Sequence, residues 1–189
     1  MSRTRLRPAH SPAELAQIYA APHRHDRWPD HVLRVQTTIA LARWVHKPGT
    51  SVADLSCGDA AIATALNEPA TFLGDFAPTY LFTGPIEQTV HELRARIYPL
   101  RVGTFILSET IEHLDDPDSV LALLRGTADR LVLSTPIDED LDSENVEHYW
   151  SWGTDDMRAM LTAAGWEPFV LNELRLTDTE YDYQIWGCR

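Results

Sequence analysis

The sequence has no long apolar run and very few cysteines. No stretch approaches the ~18 consecutive apolar residues of a membrane-spanning helix, so we expect no membrane partner. Two cysteines, Cys57 and Cys188, cannot form a disulfide framework, and the charged start MSRTRLRPAHSP lacks the apolar stretch of a secretory leader. We therefore expect a cytoplasmic protein whose 189 residues bury a core without disulfides.

Positive charge is also scarce. The chain carries 16 Lys and Arg residues against 28 Asp and Glu residues, for a formal net charge of -12. Because nucleic-acid binding depends on basic residues that neutralise phosphates, a long nucleic acid is an unfavourable partner. The basic residues that gather near the start are Arg3, Arg5, Arg7, Arg24 and Arg27. A short basic segment of this kind is usually a solvated tail, and composition alone indicates no oligomeric state.

Predicted strands and helices alternate along the rest of the chain. The apolar runs SVADLSC, TFLGDF, GTFILS and RLVLSTP predict strands, and segments with helical spacing or helix-forming residues follow them, after a first helix over residues 30–47. The alternation predicts an α/β fold with a mostly parallel sheet that binds ligands at the carboxyl ends of its strands. Two closing strands, EPFVLNELRL and YDYQIWGCR, predict an antiparallel C-terminal edge. We divide the chain into an N-terminal arm or lid, residues 1–30, and a single domain, residues 31–189.

One connection in this pattern is too short for a helix. Only about three residues separate TFLGDF from the next apolar segment, YLFTGPI, whereas a parallel crossover takes about a dozen. The sheet is therefore shortened between its second and third strands. The second segment is either a loop or a strand that turns back antiparallel.

Small residues follow the first predicted strand. Asp54 ends this strand, and Ser56, Gly58 and Ala60 occupy alternate positions before a helix. Small side chains let the backbone approach a ligand, and a helix N-terminus offers free N–H groups. A second acid, Asp75, ends the next strand. A site for a nicotinamide cofactor is the competing interpretation. Such a site typically has the motif G-x-G-x-x-G after the first strand, but this turn has only one glycine.

These residues resemble a known family. The order Asp-x-Ser-x-Gly-x-Ala, the acid at Asp75 and the segment EHLDDP after the fourth strand are similar to class I S-adenosylmethionine-dependent methyltransferases over residues 30–189. The resemblance implies a Rossmann-like fold in which the turn wraps the methionine part of the cofactor and Asp75 binds the ribose. Adenine contacts would come from Glu87 or from the backbone of Ile86. The candidate cofactor residues are Asp54, Ser56, Gly58, Ala60, Asp75, Ile86, Glu87 and Ser108.

Acids and histidines cluster after the strand GTFILS. If residues 109–113 begin a helical turn, Glu109 lies beside both Glu112 and His113, and His148 follows the neighbouring strand. The stretches ETIEH, LSTP and HYWSW resemble small-RNA 3′-terminal 2′-O-methyltransferases, and the EH pair more weakly resembles ubiquinone-pathway O-methyltransferases. The resemblance implies that these four residues bind a divalent metal. Two carboxylates and two imidazoles suit Mg²⁺, Mn²⁺ or Zn²⁺, and the carboxylates favour Mg²⁺ or Mn²⁺ over Zn²⁺. Alternatively, Glu112 and His113 only shape an acceptor pocket.

The expected function is S-adenosylmethionine-dependent methyl transfer to a hydroxyl of a small molecule or a nucleotide end. Glu112, His113 and His148 are the candidate catalytic residues, and without a metal either histidine could act as the general base. The segment YAAPHRHDRWPDH, residues 19–31, resembles a lid over the cofactor. The alternative is a non-catalytic domain that binds a nucleoside cofactor or another protein, because a fold does not guarantee an activity.

Overall fold

The computed structural model describes residues 3–20, 29–140, 145–176 and 181–189. The strands are β1 Thr4–Arg5, β2 Val52–Asp54, β3 Thr71–Asp75, β4 Phe82–Thr83, β5 Val102–Ser108, β6 Ala128–Ile137, β7 Trp150–Ser151, β8 Pro168–Leu174 and β9 Asp182–Cys188. The α-helices are α1 Pro12–Ile18, α2 Pro29–Val45, α3 Ala61–Thr64, α4 Ile86–Ile97, α5 Pro117–Arg125 and α6 Thr154–Ala163, and a 3-10 turn spans Ile111–His113. None of the described helices is long and apolar enough to cross a membrane.

The main sheet has seven strands in the order β4-β3-β2-β5-β6-β9-β8. Strands β2 to β6 pair in parallel, and β9 lies antiparallel between β6 and β8. This arrangement confirms the predicted mostly parallel sheet with an antiparallel C-terminal edge. In the register, Asp54 pairs with Ile106 and Ser108 with Ser134, so the carboxyl ends of β2, β5 and β6 lie side by side. The functional residues predicted from sequence follow these ends.

Helices cover the sheet on both sides. Side chains alternate between the two faces of a strand, and in β5 Phe105 and Leu107 belong to one apolar cluster while Ile106 belongs to the other. The first cluster includes residues of α4, α5 and α6, and the second includes residues of α2 and α3. The core therefore has two layers, one on each side of the sheet.

The shortened connection gives a parallel strand. Residues 76–81 join β3 to β4 without a helix, and β4 pairs parallel to β3 with Gly74 opposite Phe82 and Asp75 opposite Thr83. The expectation of a loop or an antiparallel strand was therefore wrong. A two-residue strand advances only about 7 Å, so a short loop can carry the chain back far enough for parallel pairing.

Helix α2 buries one face. Its buried residues are Arg34, Val35, Thr38, Leu41, Ala42 and Val45, and Ile39 packs partly buried against the same apolar cluster. The helix thus carries a guanidinium, from Arg34, that is 0% exposed, while Trp44 at its end is 64% exposed. Arg34 lies near the carboxyl ends of β5 and β6, where it donates to Ser108 and lies 3.9 Å from Glu109. These polar partners explain its burial.

The N-terminal arm packs on the rest of the molecule. Strand β1 pairs antiparallel with β7, and the guanidinium groups of Arg3 and Arg5 lie 4.7 and 4.6 Å from the ring centre of Trp150. Arg3 also pairs with Asp118, and Arg5 pairs with Asp115 at 2.6 Å. This part of the arm is therefore not the solvated tail that we expected. Part of the predicted arm and lid lies outside the described residues, namely His23, Arg24, His25, Arg27 and Trp28.

Candidate active site

The turn after β2 lies against the acid that ends β3. The backbone N–H of Gly58 donates to Oδ2 of Asp75 at 2.8 Å, and the N–H of Ala77 donates to Oδ1 at 3.3 Å. Gly58 and Ala60 both have left-handed backbone, with φ of 53° and 61°. Glycine adopts this conformation without strain, which gives a physical reason for the single glycine of the turn. The structure therefore brings together the predicted cofactor turn and the predicted ribose-binding acid.

Asp54 lies beneath this turn with only 3% of its surface exposed. Its pKa is raised to about 8, chiefly by burial; the carboxylates of Asp75 and Asp59 contribute to the rise, and a hydrogen bond from the Ser56 N–H opposes it. The hydroxyl of Thr110 donates to Ser56 Oγ at 2.8 Å, so the first turn contacts the segment after β5. The two predicted sites are thus adjacent parts of one edge of the sheet.

The remaining predicted cofactor residues occupy three different environments. Ile86 begins α4 with its side chain in the apolar core, so only its backbone could face a ligand. Glu87 is exposed in the first turn of the same helix. Ser108 is 7% exposed, and its hydroxyl takes part in a buried hydrogen-bond chain.

That chain joins Arg34 to Glu109. Arg34 donates to Ser108 Oγ at 2.8 Å, Ser108 and Ser134 hydroxyls lie 2.7 Å apart, and Ser134 donates to Glu109 Oε1 at 2.8 Å. Because Ser134 uses its only hydrogen on the carboxylate, Ser108 is the donor between the two serines. Arg34 Nε also lies 3.9 Å from Glu109 Oε1. A cation, two hydroxyls and a carboxylate thus form one directed chain, which strengthens each of its bonds.

Three of the four predicted metal ligands come together. Glu112, His113 and His148 each offer one ligand atom within 4.8 Å of the others. The 3-10 turn begins at Ile111, and Glu109 before it has left-handed backbone with φ of 49°. The expectation of a helical turn over residues 109–113 is therefore wrong, because the observed turn begins two residues later than expected. Glu109 points to Ser134 and Arg34 and is not part of this group.

The partners of the two histidines define which ring nitrogen carries the proton. Nδ1 of His113 lies 2.9 Å from the Glu147 carbonyl, which can only accept, so Nδ1 is the protonated nitrogen. Nδ1 of His148 lies 2.6 Å from Oε2 of Glu139, while Nε2 lies 3.0 Å from Nδ2 of Asn145. The Asn145 amide is oriented by its Oδ1, which accepts from the Glu147 N–H at 2.9 Å, so its Nδ2 donates to His148. In their neutral forms both histidines therefore carry a lone pair on Nε2.

Glu112 is a carboxyl group with an incomplete set of hydrogen bonds. Its Oε2 accepts from the hydroxyl of Thr135 at 3.0 Å, but Oε1 is buried without a hydrogen-bond donor among the described residues. Oε1 lies 3.8 Å from Nε2 of His113. Burial raises the pKa of Glu112 to about 8, with a further contribution from Glu109, while His148 opposes the shift. A buried carboxylate oxygen that faces an imidazole lone pair is suited to a proton or a cation.

The electrostatics around His148 favour positive charge. Burial lowers the pKa of His148, but the hydrogen bond to Glu139 and the carboxylates of Glu112, Glu139 and Glu109 outweigh it, so the pKa is raised overall. The guanidinium of Arg34 is already paired with Ser108 and Glu109. This part of the site therefore attracts a proton, a metal ion or a cationic group.

Tyr19 links the N-terminal arm to the site. Its hydroxyl donates to Glu147 Oε2 at 3.0 Å and lies 3.3 Å from Nδ1 of His113. Its ring stacks on Phe76, the residue after Asp75, with ring centres 5.6 Å apart. Burial, followed by the Glu147 carboxylate, raises the pKa of the Tyr19 hydroxyl, which therefore stays protonated. The arm thus contacts both the cofactor turn and the histidine cluster.

Comparison with known proteins identifies the fold. No protein-family model and no curated protein matches the sequence. Among solved structures, the magnesium protoporphyrin IX methyltransferase ChlM of Synechocystis PCC 6803, with bound S-adenosylhomocysteine, is 17% identical with a TM-score of 0.60, covering 91% of this chain and 90% of that chain. The N-methyltransferase NodS of Bradyrhizobium japonicum WM9, also with S-adenosylhomocysteine, is 12% identical with a TM-score of 0.66, over 94% and 95% of the two chains. The fold is that of S-adenosylmethionine-dependent methyltransferases.

The same methyltransferase fold also occurs in a protein of another reaction class. The [4+2]-cyclase SpnF is 11% identical with a TM-score of 0.66, and the match covers 96% of each chain. At these identities the similarity establishes the fold, and the reaction has to be argued from the site.

Sequence reasoning missed several residues of this methyltransferase-fold site. Arg34 had a usable signal, because it lies four residues before Thr38 and seven before Leu41, on the face that α2 buries. Ser134 lies within the quoted LSTP segment, but nothing in the pattern indicated that it contacts Glu109. Glu139 is one of several acids in DEDLDSEN, and no feature of the sequence distinguishes it from the others.

Proposed function

We propose that the protein is an S-adenosylmethionine-dependent methyltransferase. The observation that carries the proposal is the contact between Gly58 and Asp75, which places a small-residue turn and an acid at neighbouring strand ends of a methyltransferase fold. Asp75 would accept hydrogen bonds from the ribose hydroxyls, since a carboxylate has about four acceptor positions and Gly58 and Ala77 use only two. The turn from Asp54 to Ala60 would hold the methionine part of the cofactor.

The acceptor in this proposal is a hydroxyl of a small molecule or a nucleotide end. The lone pair on Nε2 of His113 suits removal of the hydroxyl proton, while the oxygen attacks the sulfonium methyl and S-adenosylhomocysteine leaves. Nε2 of His148 would take this role where the acceptor hydroxyl replaces the Asn145 amide. Methyl transfer depends mainly on in-line positioning of oxygen, carbon and sulfur. The carboxylates near the histidines and the net charge of -12 disfavour a long nucleic acid.

A divalent metal fits the residues of this cluster. Glu112 Oε1 is buried without a donor among the described residues, and His148 donates its Nδ1–H to a carboxylate, as metal-binding histidines usually do. Glu112, His113 and His148 would hold the ion, which would lower the pKa of an acceptor hydroxyl. The carboxylate suits Mg²⁺ or Mn²⁺, and the two imidazoles make Mn²⁺ a better fit than Mg²⁺. Zn²⁺ also accepts a set of two histidines and one glutamate.

Cofactor binding is tested by titrating S-adenosylhomocysteine into the protein and into the variant Asp75→Asn in a calorimeter. We expect binding to the unmodified protein and a loss of about tenfold or more in the variant, because an amide cannot replace both acceptor oxygens. Asp129→Asn is the matched control, since Asp129 is exposed at the amino end of β6 and pairs with Arg101. If the unmodified protein binds neither S-adenosylmethionine nor S-adenosylhomocysteine at millimolar concentration, the proposed function is wrong.

Metal binding is tested by the melting temperature in the presence of Mn²⁺ and of Mg²⁺. We expect Mn²⁺ to raise the melting temperature of the unmodified protein, because it binds the folded state alone. Glu112→Gln and His148→Ala should abolish the rise, while Asp129→Asn should retain it. An unmodified protein that shows no rise with Mn²⁺, Mg²⁺ or Zn²⁺ would remove the metal from the proposal and leave the histidines as candidate general bases.

A further inference from the structure

Glu139 is buried beside the histidine cluster although its chain neighbours are not. Its side chain is 3% exposed, whereas Asp138 and Asp140 are both exposed. Its Oε2 lies 2.6 Å from Nδ1 of His148, and its Oε1 is buried without a hydrogen-bond donor among the described residues. Burial of a carboxylate costs free energy unless a partner offsets the cost. His148 is the partner that the structure gives it.

The hydrogen bond from His148 to Glu139 defines the state of the imidazole. A carboxylate that has no proton can only accept, so Nδ1 of His148 carries the hydrogen between them. On the other side of the ring, Nε2 accepts from the Asn145 amide at 3.0 Å. The two contacts favour the same tautomer, and in this structure the Nε2 lone pair accepts from Asn145 on the side of the ring away from Glu139.

We propose that Glu139 is a positioning residue that holds His148 in the Nδ1–H form and keeps Nε2 as the acceptor nitrogen of the ring. The use of Nε2 rests on the proposed function, in which a metal ion or the proton of the acceptor hydroxyl takes the place of the Asn145 amide at Nε2. The tautomer itself depends on the hydrogen bonds to Glu139 and Asn145. Glu139 acts through His148 and does not need to touch cofactor or acceptor.

The placement of His148 supports a role beyond local packing. The rings of His113 and His148 lie edge to face with centres 4.8 Å apart, so a rotation of His148 would move one of the three grouped ligand atoms. Carboxylate partners of metal-binding histidines orient the ring and strengthen it as a ligand. A side chain that only filled space could be replaced by an apolar one without changing the tautomer, and this difference makes the proposal testable.

The decisive experiment reads the tautomer by two-bond ¹⁵N–¹H correlation spectra of protein labelled at histidine, with His148→Gln used to assign the signals. Spectra are recorded at alkaline pH, where the imidazole is neutral. We expect Nδ1 of His148 to be protonated in the unmodified protein and also in Asn145→Ala, which removes the amide donor at Nε2 and leaves Glu139 to hold the tautomer. In the Asn145→Ala background, the Nε2–H form should become populated with Glu139→Ala, whereas Glu139→Gln should keep the Nδ1–H form because its amide oxygen still accepts. Asp140→Ala, the change at the exposed neighbour, should leave the spectrum as it is. Retention of the Nδ1–H form in a folded protein with both Asn145→Ala and Glu139→Ala overturns the proposal.

A second measurement compares Mn²⁺ affinity in the same variants. Loss of a carboxylate partner usually weakens metal binding by about 10–100-fold, so we expect Glu139→Ala to bind Mn²⁺ at least tenfold more weakly than Asp140→Ala. Equal affinities in these two variants would contradict the positioning role. The affinity for S-adenosylhomocysteine should stay within about twofold in every variant, because Glu139 lies on the histidine side of the site. Since the tautomer is read without metal or cofactor, its outcome is independent of the proposed function.

Discussion

Arg34 offers a direct test of how the buried chain of polar groups supports the site. Replacement by Met keeps the apolar stem of the side chain, out to about the position of Nε, and removes the guanidinium. The variant Arg34→Met leaves Ser108 without its donor and leaves Glu109 without the cation that lies 3.9 Å away. The methionine keeps the stem buried, so the lost polar interactions contribute more than the small cavity left by the guanidinium.

The magnitude follows from these contacts. A hydrogen bond from a charged donor contributes about 2 kcal/mol, and two charges at this separation attract by about 4 kcal/mol at an effective dielectric constant of about 20. Relief of the cost of burying the guanidinium offsets part of the loss. Removal of one partner of a buried ion pair costs about 3–5 kcal/mol, and we expect about 3 kcal/mol here because Glu109 keeps some exposure to water. For a chain of this size that loss corresponds to a fall in melting temperature of roughly 6–12 °C.

Urea unfolding of Arg34→Met, Glu109→Gln and the double variant measures the coupling between the two residues. If the pair is coupled, the double variant loses at least about 1 kcal/mol less than the sum of the single losses. Arg43→Met is the matched control on the same helix, since Arg43 is exposed and its hydrogen bonds within the described residues go to the Ala65 carbonyl. Its replacement should cost about 0.5 kcal/mol. A loss below about 1 kcal/mol in Arg34→Met, or strict additivity in the double variant, would refute the reasoning.

Three further predictions concern other parts of the molecule. The raised pKa of Asp54, about 8 against an ordinary 3.8, means that the folded state holds the proton more tightly. The free energy of unfolding should therefore fall as pH rises from about 4 to 8. Asp54→Asn should remove much of that fall, as measured by urea titrations at pH 5 and pH 8. An equal fall in the variant and the unmodified protein would contradict this. Tyr19→Phe keeps the ring but removes the hydroxyl near His113, and it should lower the unfolding free energy by about 1 kcal/mol, whereas no change in urea would show that the hydroxyl bonds are not stabilising. Gly187→Ala should cost about 1–3 kcal/mol because its Cβ would lie 2.5 Å from two valine side chains, while Gly126→Ala, with 3.4 Å to the nearest atom, should be nearly neutral in the same assay.

The sequence alone was sufficient for most of the architecture. Apolar runs such as residues 103–108 and 131–136 predict strands, and the helical segments between them leave few ways to build a sheet, because parallel connections need crossovers. The turn with Gly58 and the acid at Asp75 were also predictable, since a tight turn needs small residues and strand ends of a parallel sheet meet at one edge.

The tertiary structure decided which side chains meet. Glu109 and Glu112 lie three residues apart and look equivalent in the sequence, but the left-handed backbone at Glu109 sends its carboxylate to Ser134 while Glu112 joins the histidines. A backbone angle of this kind depends on packing around the turn and cannot be predicted from the local sequence. The same holds for Glu139, which is distinguished from its neighbours only by the position of His148. Local pattern determined the scaffold, because hydrogen bonds and apolar spacing are local properties, whereas the site depends on contacts between residues distant in the chain.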